Sequence, residues 1–155
     1  MTDDHLDALD EVAVAAAWRE RLTTGLSDRA PVGVTAQSLV AELDGVVVAM
    51  AAVGPDRDDL GDLATGELWM LNADPSAWGT GAAVALHELA CGELAARGHT
   101  DAVLWVVEQN DRARRFYERE GWHDDGLAKT EAIGGVDVTE LRYRRRLEAR
   151  GAGSP

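Results

Sequence analysis

The chain has one cysteine, one lysine and one phenylalanine among its 155 residues, and the first of these scarcities removes a class of protein. With Cys91 alone, no internal disulfide framework and no cysteine-rich metal knot can form. Cys91 stands in the apolar run "ALHELACGEL" and reads as a small buried hydrophobe. No stretch approaches the ~20 apolar residues of a membrane span. The opening "MTDDHLDALD" is acidic and polar, unlike a secretory signal, so a soluble cytoplasmic protein is expected. Positive charge is scarce too: 15 basic against 28 acidic side chains give a net charge of −13. Residues 1–75 carry 15 of the acidic and only 4 of the basic groups. Such a surface repels nucleic acid and anionic membranes and attracts a cationic partner such as an amine. Solubility, or adaptation to salt, explains the same charge without any ligand.

What remains is the size of one domain, with 46% hydrophobic and 28% charged residues, enough for a real core. Val14, Trp18 and Leu22 recur at helical spacing and predict a helix over 6–24. "SLVAEL" (38–43) and "VVVAMAAVG" (46–54) predict strands joined at Asp44-Gly45, a strong hairpin signal. A third strand, "ELWMLNA" (67–73), stops at Asp74-Pro75. From about Trp78 to Arg97 the pattern is helical and closes on Gly98. "DAVLWVV" (101–107) reads as a central strand, and 110–120 as a short helix capped by Asn110 or Asp111 and ended by Gly121. "WHDDGLAK" and "VDVTELRYRRRL" are two closing strands joined through Gly134-Gly135. The order predicts an α/β (α+β) domain over 1–147, a mixed and mostly antiparallel sheet with flanking helices, with a disordered tail at 148–155.

The informative segment is 67–86, "ELWMLNADPSAWGTGAAVAL", where a strand turns into a helix through Gly79-Thr80-Gly81-Ala82-Ala83. Small residues let backbone approach a ligand closely. A helix start offers unpaired N–H groups and the positive end of its dipole, which together cradle a diphosphate. A dinucleotide fingerprint fails because Val84 takes the place of its third glycine, and no G-x-x-x-x-G-K-[ST] loop exists. A tight turn with no ligand is the plainer account of two glycines alone. His87, His99 and His123 pair with no Cys, Asp or Glu at metal-ligand spacing, so no metal is expected.

Two landmarks in order give the segment its meaning. Trp78-Gly79-Thr80-Gly81-Ala82-Ala83 aligns with the motif [Q/R]-x-x-G-x-[G/A], after a strand end at Leu71-Asn72-Ala73-Asp74-Pro75. Asn110 is followed by Phe116-Tyr117-Glu118 and by Gly121-Trp122. On these residues the chain resembles the GCN5-related N-acetyltransferase (GNAT) superfamily over about 36–147. The resemblance implies acetyl-coenzyme A as co-substrate and an amine of a small molecule or peptide as acceptor. It implies that the backbone of Leu71, Asn72 and Ala73 pairs with the pantetheine arm, and that the amides of Gly79, Thr80, Gly81, Ala82, Ala83 and Val84 hold the diphosphate. It implies that Asn110 bonds the pantetheine region and that the Tyr117 hydroxyl faces the coenzyme sulfur. Glu67, at the start of the third strand, matches the place where some members keep a general base. Strand alternation would put Glu67, Trp69, Leu71 and Ala73 on one face. Arg112, Arg114 and Arg115 are basic candidates for the coenzyme's phosphates.

Two departures stand beside the match. Trp78 replaces the motif's Gln or Arg, which removes a polar contact to phosphate. The family's first strand and helix are missing from the pattern ahead of the hairpin. A shortened front leaves the outer edge of the first hairpin strand unpaired, and a second copy of the chain could cover it as a homodimer. These departures keep a second reading in play, a non-catalytic acyl-coenzyme A-binding or interaction module. An RNA-directed transferase conflicts with the acidic surface.

Overall fold

A computed structural model describes residues 22–26, as backbone, and 36–148. Seven strands in this part of the chain form one sheet: β1 (Leu22–Leu26), β2 (Gln37–Leu43), β3 (Val46–Pro55), β4 (Thr65–Ala73), β5 (Asp101–Val107), β6 (His123–Ile133) and β7 (Val136–Arg146). Their order across the sheet is β1-β2-β3-β4-β5-β7-β6. Every neighbouring pair is antiparallel except β4 and β5. Parallel strands need a crossover, and helix α1 (Ala82–Ala96) supplies it. A second helix, α2 (Asp111–Arg119), links β5 to β6. The mixed, mostly antiparallel architecture is the one the sequence predicts.

Local chemistry sets the joints. Asp44 and Gly45 have φ of 53° and 80°, the pair of left-handed residues that a type I′ hairpin requires. Both helices end in the same double bond. After α1, Gly98 N–H reaches Ala95 O and His99 N–H reaches Leu94 O; after α2, Gly121 N–H reaches Glu118 O and Trp122 N–H reaches Tyr117 O. The Gly-aromatic landmark is therefore a helix stop, and its aromatic folds back on the helix it ends.

Helix α1 buries Ala82, Ala85, Leu86, Ala90 and Leu94 against β2, β3 and β4, one stripe at three- and four-residue spacing. Leu39, Val53 and Leu68 meet it from these strands, and Leu104 and Tyr143 extend the same core, all of them all but fully buried. A methyl group on Gly66 would lie 2.7 Å from both Leu94 Cδ2 and His99 Cδ2, so the bare glycine lets the end of α1 settle on β4.

The front of the chain needs a correction. Most of the helix expected over 6–24 lies outside the described residues, but its last three residues, 22–24, belong to strand β1. That strand pairs with β2, from Leu22 opposite Ala41 to Leu26 opposite Gln37. A strand thus stands ahead of the hairpin, and the bare, adhesive edge expected of a shortened domain is covered by the chain itself. Helical periodicity at Val14, Trp18 and Leu22 carried the expectation too far, because strand pairing is a tertiary decision.

Candidate functional site

Strands β4 and β5 pair over three residues only, ending at Glu67 opposite Val103. Beyond that point β4 continues to Ala73, still paired with β3, and β5 continues to Val107, paired with β7. The two strands part, and a wedge opens at their carboxyl ends, the usual place for a ligand on a sheet with parallel strands. Leu71, Asn72 and Ala73 edge one side of this wedge. α1 and α2 both begin at its mouth.

The start of the wedge coincides with a bulge. Opposite Val53 and Ala52 stand Leu68 and Met70, so Trp69 is an extra residue in β4. Its indole Nε1–H donates to Pro55 O at 3.1 Å. The bulge corrects the expected alternation. Cross-strand partners share a face, so Leu68, Leu71 and Ala73 point with Val53, Ala51 and Ala49 toward α1, whereas Glu67, Met70 and Asn72 point the other way. Glu67 does not share a face with Leu71 and Ala73.

The phosphate-motif segment begins with a single 3-10 turn, Pro75–Ala77, capped by the Asp74 carboxylate, which accepts from Ser76 N–H. The helix starts four residues later than its sequence pattern suggests, at Ala82. Gly79 and Gly81 take φ of 77° and 84°, which a side chain would resist, and hold residues 78–81 as a loop. Thr80 N–H is occupied by Ala77 O at 3.2 Å, so this amide is committed within the loop. The ladder of α1 opens with Ala85 N–H on Gly81 O, which leaves the amides of Ala82, Ala83 and Val84 ahead of it. Ala82 N–H has a long contact to Thr80 Oγ1, at 3.4 Å. The first turn holds no acidic residue and has no side-chain cap bond.

Across the mouth, Asn110 Oδ1 accepts from Ala113 N–H at 3.1 Å and caps α2. One face of its amide is thus committed, and its NH2 group is the donor left for a ligand. Tyr117 lies about two turns further on, buried between Phe116 and Trp122, with ring centroids at 5.5 and 6.1 Å. Burial, and then the nearby Cys91, push its phenol up to about 12. Among the described residues its hydroxyl makes no hydrogen bond. Arg114 is engaged elsewhere: its Nε donates to Tyr143 Oη at 3.0 Å and its Nη1 to Glu108 O at 3.0 Å.

Glu67 is 1% exposed and already partnered. Arg57 Nη2 donates to its Oε2 at 2.6 Å, Arg57 Nε donates to Oε2 at 3.2 Å, and the Arg57 backbone N–H donates to Oε1 at 2.9 Å. The same guanidinium lies 4.5 Å from the centre of the Trp69 ring. Trp105 Nε1–H donates to Asp58 Oδ2 at 2.9 Å, so the loop after β3 is pinned to both β4 and β5. Arg57 sits in a polar loop ten residues before its partner and carries no motif of its own.

His87, which has no metal partner in sequence, finds its partner 35 residues away. It is fully buried, and its Nε2 accepts from Trp122 Nε1–H at 2.8 Å. An indole can only donate, so the histidine proton sits on Nδ1. Desolvation, with the Arg145 charge second, lowers its pKa to about 3. It is therefore neutral, and its 3.8 Å approach to Glu120 is not an ion pair. Burial pushes the Cys91 thiol up to about 11, which makes it unreactive, as its apolar surroundings suggest. Among the described residues no cluster of three His, Cys, Asp or Glu has metal-binding geometry, and no helix is long and apolar enough to cross a membrane.

Comparison with known proteins bears on the family and the fold. The sequence model of the Acetyltransferase (GNAT) family matches residues 4–122. The chain is 44% identical over 61 residues to a mycothiol acetyltransferase of Beutenbergia cavernae, covering 39% of this chain and 20% of that protein. It is 42% identical over 45 residues to a probable N-acetyltransferase of Mycobacterium tuberculosis, covering 28% of this chain and 26% of that one. The chain thus matches only a fifth to about a quarter of the length of these curated relatives. Among solved structures, a ribosomal-protein-alanine N-acetyltransferase from Brucella melitensis superposes with a TM-score of 0.63 at 23% identity, over 74% of this chain and 70% of that one. At that identity the likeness speaks for the fold alone.

Proposed function

The chain belongs to the acetyltransferase (GNAT) family, and on that premise we propose that it transfers the acetyl group of acetyl-coenzyme A to a primary amine. The acceptor is a small molecule or a peptide, and transfer is direct, with both substrates bound together. One observation carries the reading: β4 and β5 part at Glu67 and Val103, and the wedge opens onto a helix start with free amides and no acidic residue.

The fit to the coenzyme follows from the residues present. The amides of Gly79, Gly81, Ala82, Ala83 and Val84 take the diphosphate, with the dipole of α1 behind them. Thr80 contributes no free amide, so its part is to shape the loop. The backbone edge of Leu71, Asn72 and Ala73 pairs with the pantetheine arm as an added strand would, and a strand N–H there polarises the carbonyl that is attacked. Asn110 donates to the arm from its NH2 group. The coenzyme supplies the activated acetyl group. Tyr117, which keeps its proton throughout the physiological range, hydrogen-bonds the departing sulfur and delivers that proton. Glu67 takes a proton from the acceptor ammonium, directly or through water, once Arg57 has released an oxygen.

The acidic surface favours a cationic acceptor. The second reading, a non-catalytic acyl-coenzyme A-binding module, is favoured by the hold of Arg57 on Glu67, which occupies the lone pairs a base would use. Calorimetry with coenzyme A beside a free-thiol assay over a panel of primary amines separates the two. Thiol release that depends on the amine, with the acetylated amine found by mass spectrometry, supports the transferase. Coenzyme binding with no release across the panel supports the module, and no binding at all overturns both.

A further inference from the structure

Trp78 stands where the family motif carries Gln or Arg, and the structure gives it a specific neighbour. Its indole Nε1–H donates to Ala73 O, the end of β4, at 3.2 Å. The Cζ of Arg112 lies 3.6 Å from the centre of its ring. Trp78 precedes the glycine loop on the β4 side of the wedge. Arg112 is the second residue of α2, on the β5 side, two residues past Asn110. The stack therefore spans the mouth of the wedge, next to the free amides of α1.

We propose that Arg112, held over the ring of Trp78, donates to the coenzyme diphosphate and takes over the polar contact that position 78 has lost. This rests on the acetyltransferase reading and names a residue within it. The geometry suits the task. Stacking uses the face of the guanidinium and leaves its N–H edge free for phosphate oxygens. Among the described residues no carboxylate forms an ion pair with Arg112. Arg114, one position beyond its neighbour, is fixed on Tyr143 and Glu108 O, so it is not the cation for this place. The first turn of α1 carries no basic side chain of its own. Trp78 remains 41% exposed beneath the stack, so the pair lies at the surface, where a ligand can reach it.

Calorimetry with three probes tests this: coenzyme A, dephospho-coenzyme A without the 3′-phosphate, and pantetheine without the diphosphate. Arg112→Ala is expected to weaken coenzyme A and dephospho-coenzyme A alike, by about ten- to a hundredfold as for a charge-assisted bond, and to leave pantetheine unchanged. Trp78→Phe, which keeps a ring to stack on, is expected to stay near wild type. Trp78→Ala is expected to lose several-fold, and Trp78→Ala with Arg112→Ala to bind no more weakly than Arg112→Ala alone. The melting temperature of Arg112→Ala should equal that of wild type, since the residue is exposed. Equal coenzyme A affinity in wild type and Arg112→Ala overturns the inference, as does a loss that vanishes with dephospho-coenzyme A or extends to pantetheine. Wild type that binds no coenzyme A overturns the acetyltransferase reading, and this inference with it.

Discussion

The guanidinium of Arg57 grips the carboxylate of Glu67, with Nη2 at 2.6 Å from Oε2, at the residue where β4 and β5 separate. The carboxylate is 1% exposed and the guanidinium side chain 42% exposed, so the anion is the buried partner and the cation comes from the rim. Removing the cation strands a buried charge, which is worse than never having had the pair. Arg57→Ala should destabilise the fold by about 1–3 kcal/mol, less than a fully buried pair because the arginine is partly solvated. Adding Glu67→Gln should recover part of the loss. Urea unfolding of both single variants and the double variant measures the coupling, and additive losses would show that the contact is incidental.

If Glu67 also accepts the acceptor's proton, Glu67→Gln should lower kcat by about 10²–10⁴-fold while coenzyme A binds as before. Steady-state kinetics on the best amine of the panel checks this. An unchanged kcat removes Glu67 from the chemistry and leaves it as the anchor of the loop that carries Arg57.

Tyr117 makes a separate case. Among the described residues its hydroxyl has no hydrogen bond, so Tyr117→Phe should leave stability within about 0.5 kcal/mol. Turnover should fall by about 10²-fold with little change in coenzyme A affinity. With its pKa pushed up to about 12, the phenol holds its proton at working pH and introduces no basic limb of its own below about pH 11. Equal kinetics in the two proteins would exclude a role for the hydroxyl.

His87 predicts a pH dependence of stability. Its folded pKa, about 3, lies below the ordinary value of 6.5. Between these values the unfolded chain binds the proton and the folded one does not. Stability is therefore complete above about pH 6.5, and it falls as pH drops toward 3, by up to about 4 kcal/mol from this residue. His87→Gln keeps an acceptor for Trp122 Nε1–H but cannot titrate. Its unfolding free energy should change less between pH 7 and pH 4 than that of wild type, by denaturant titration at each pH. Parallel pH profiles would contradict the assignment.

Much of this was legible along the chain because the deciding chemistry is local. Asp44-Gly45 announced a hairpin, and both residues do take positive φ. Asn110 and Gly121 bounded a helix because one caps its first amides and the other permits the left-handed stop. What the sequence hid depends on partners far away in the chain. The bulge at Trp69 exists only relative to β3, so alternation counted along β4 alone put Glu67 on the wrong face. Arg57 is an ordinary loop residue until β4 brings a buried carboxylate beneath it. The stretch 22–24 has helical spacing, yet pairing with β2 draws it into the sheet. The start of α1 moved from Trp78 to Ala82 because two left-handed glycines continue the loop, and that shift is what exposes the amides.

The central claim is that the amides around the start of α1 receive the coenzyme's diphosphate, and amide resonances of isotope-labelled protein read it directly. On titration with coenzyme A, the signals of Gly79, Gly81, Ala82, Ala83 and Val84 should move most and saturate together, while Gly134 and Gly135 at the far hairpin turn stay in place. Resonances of residues 79–84 that do not move at saturating coenzyme A, or movement confined to other parts of the fold, would contradict it.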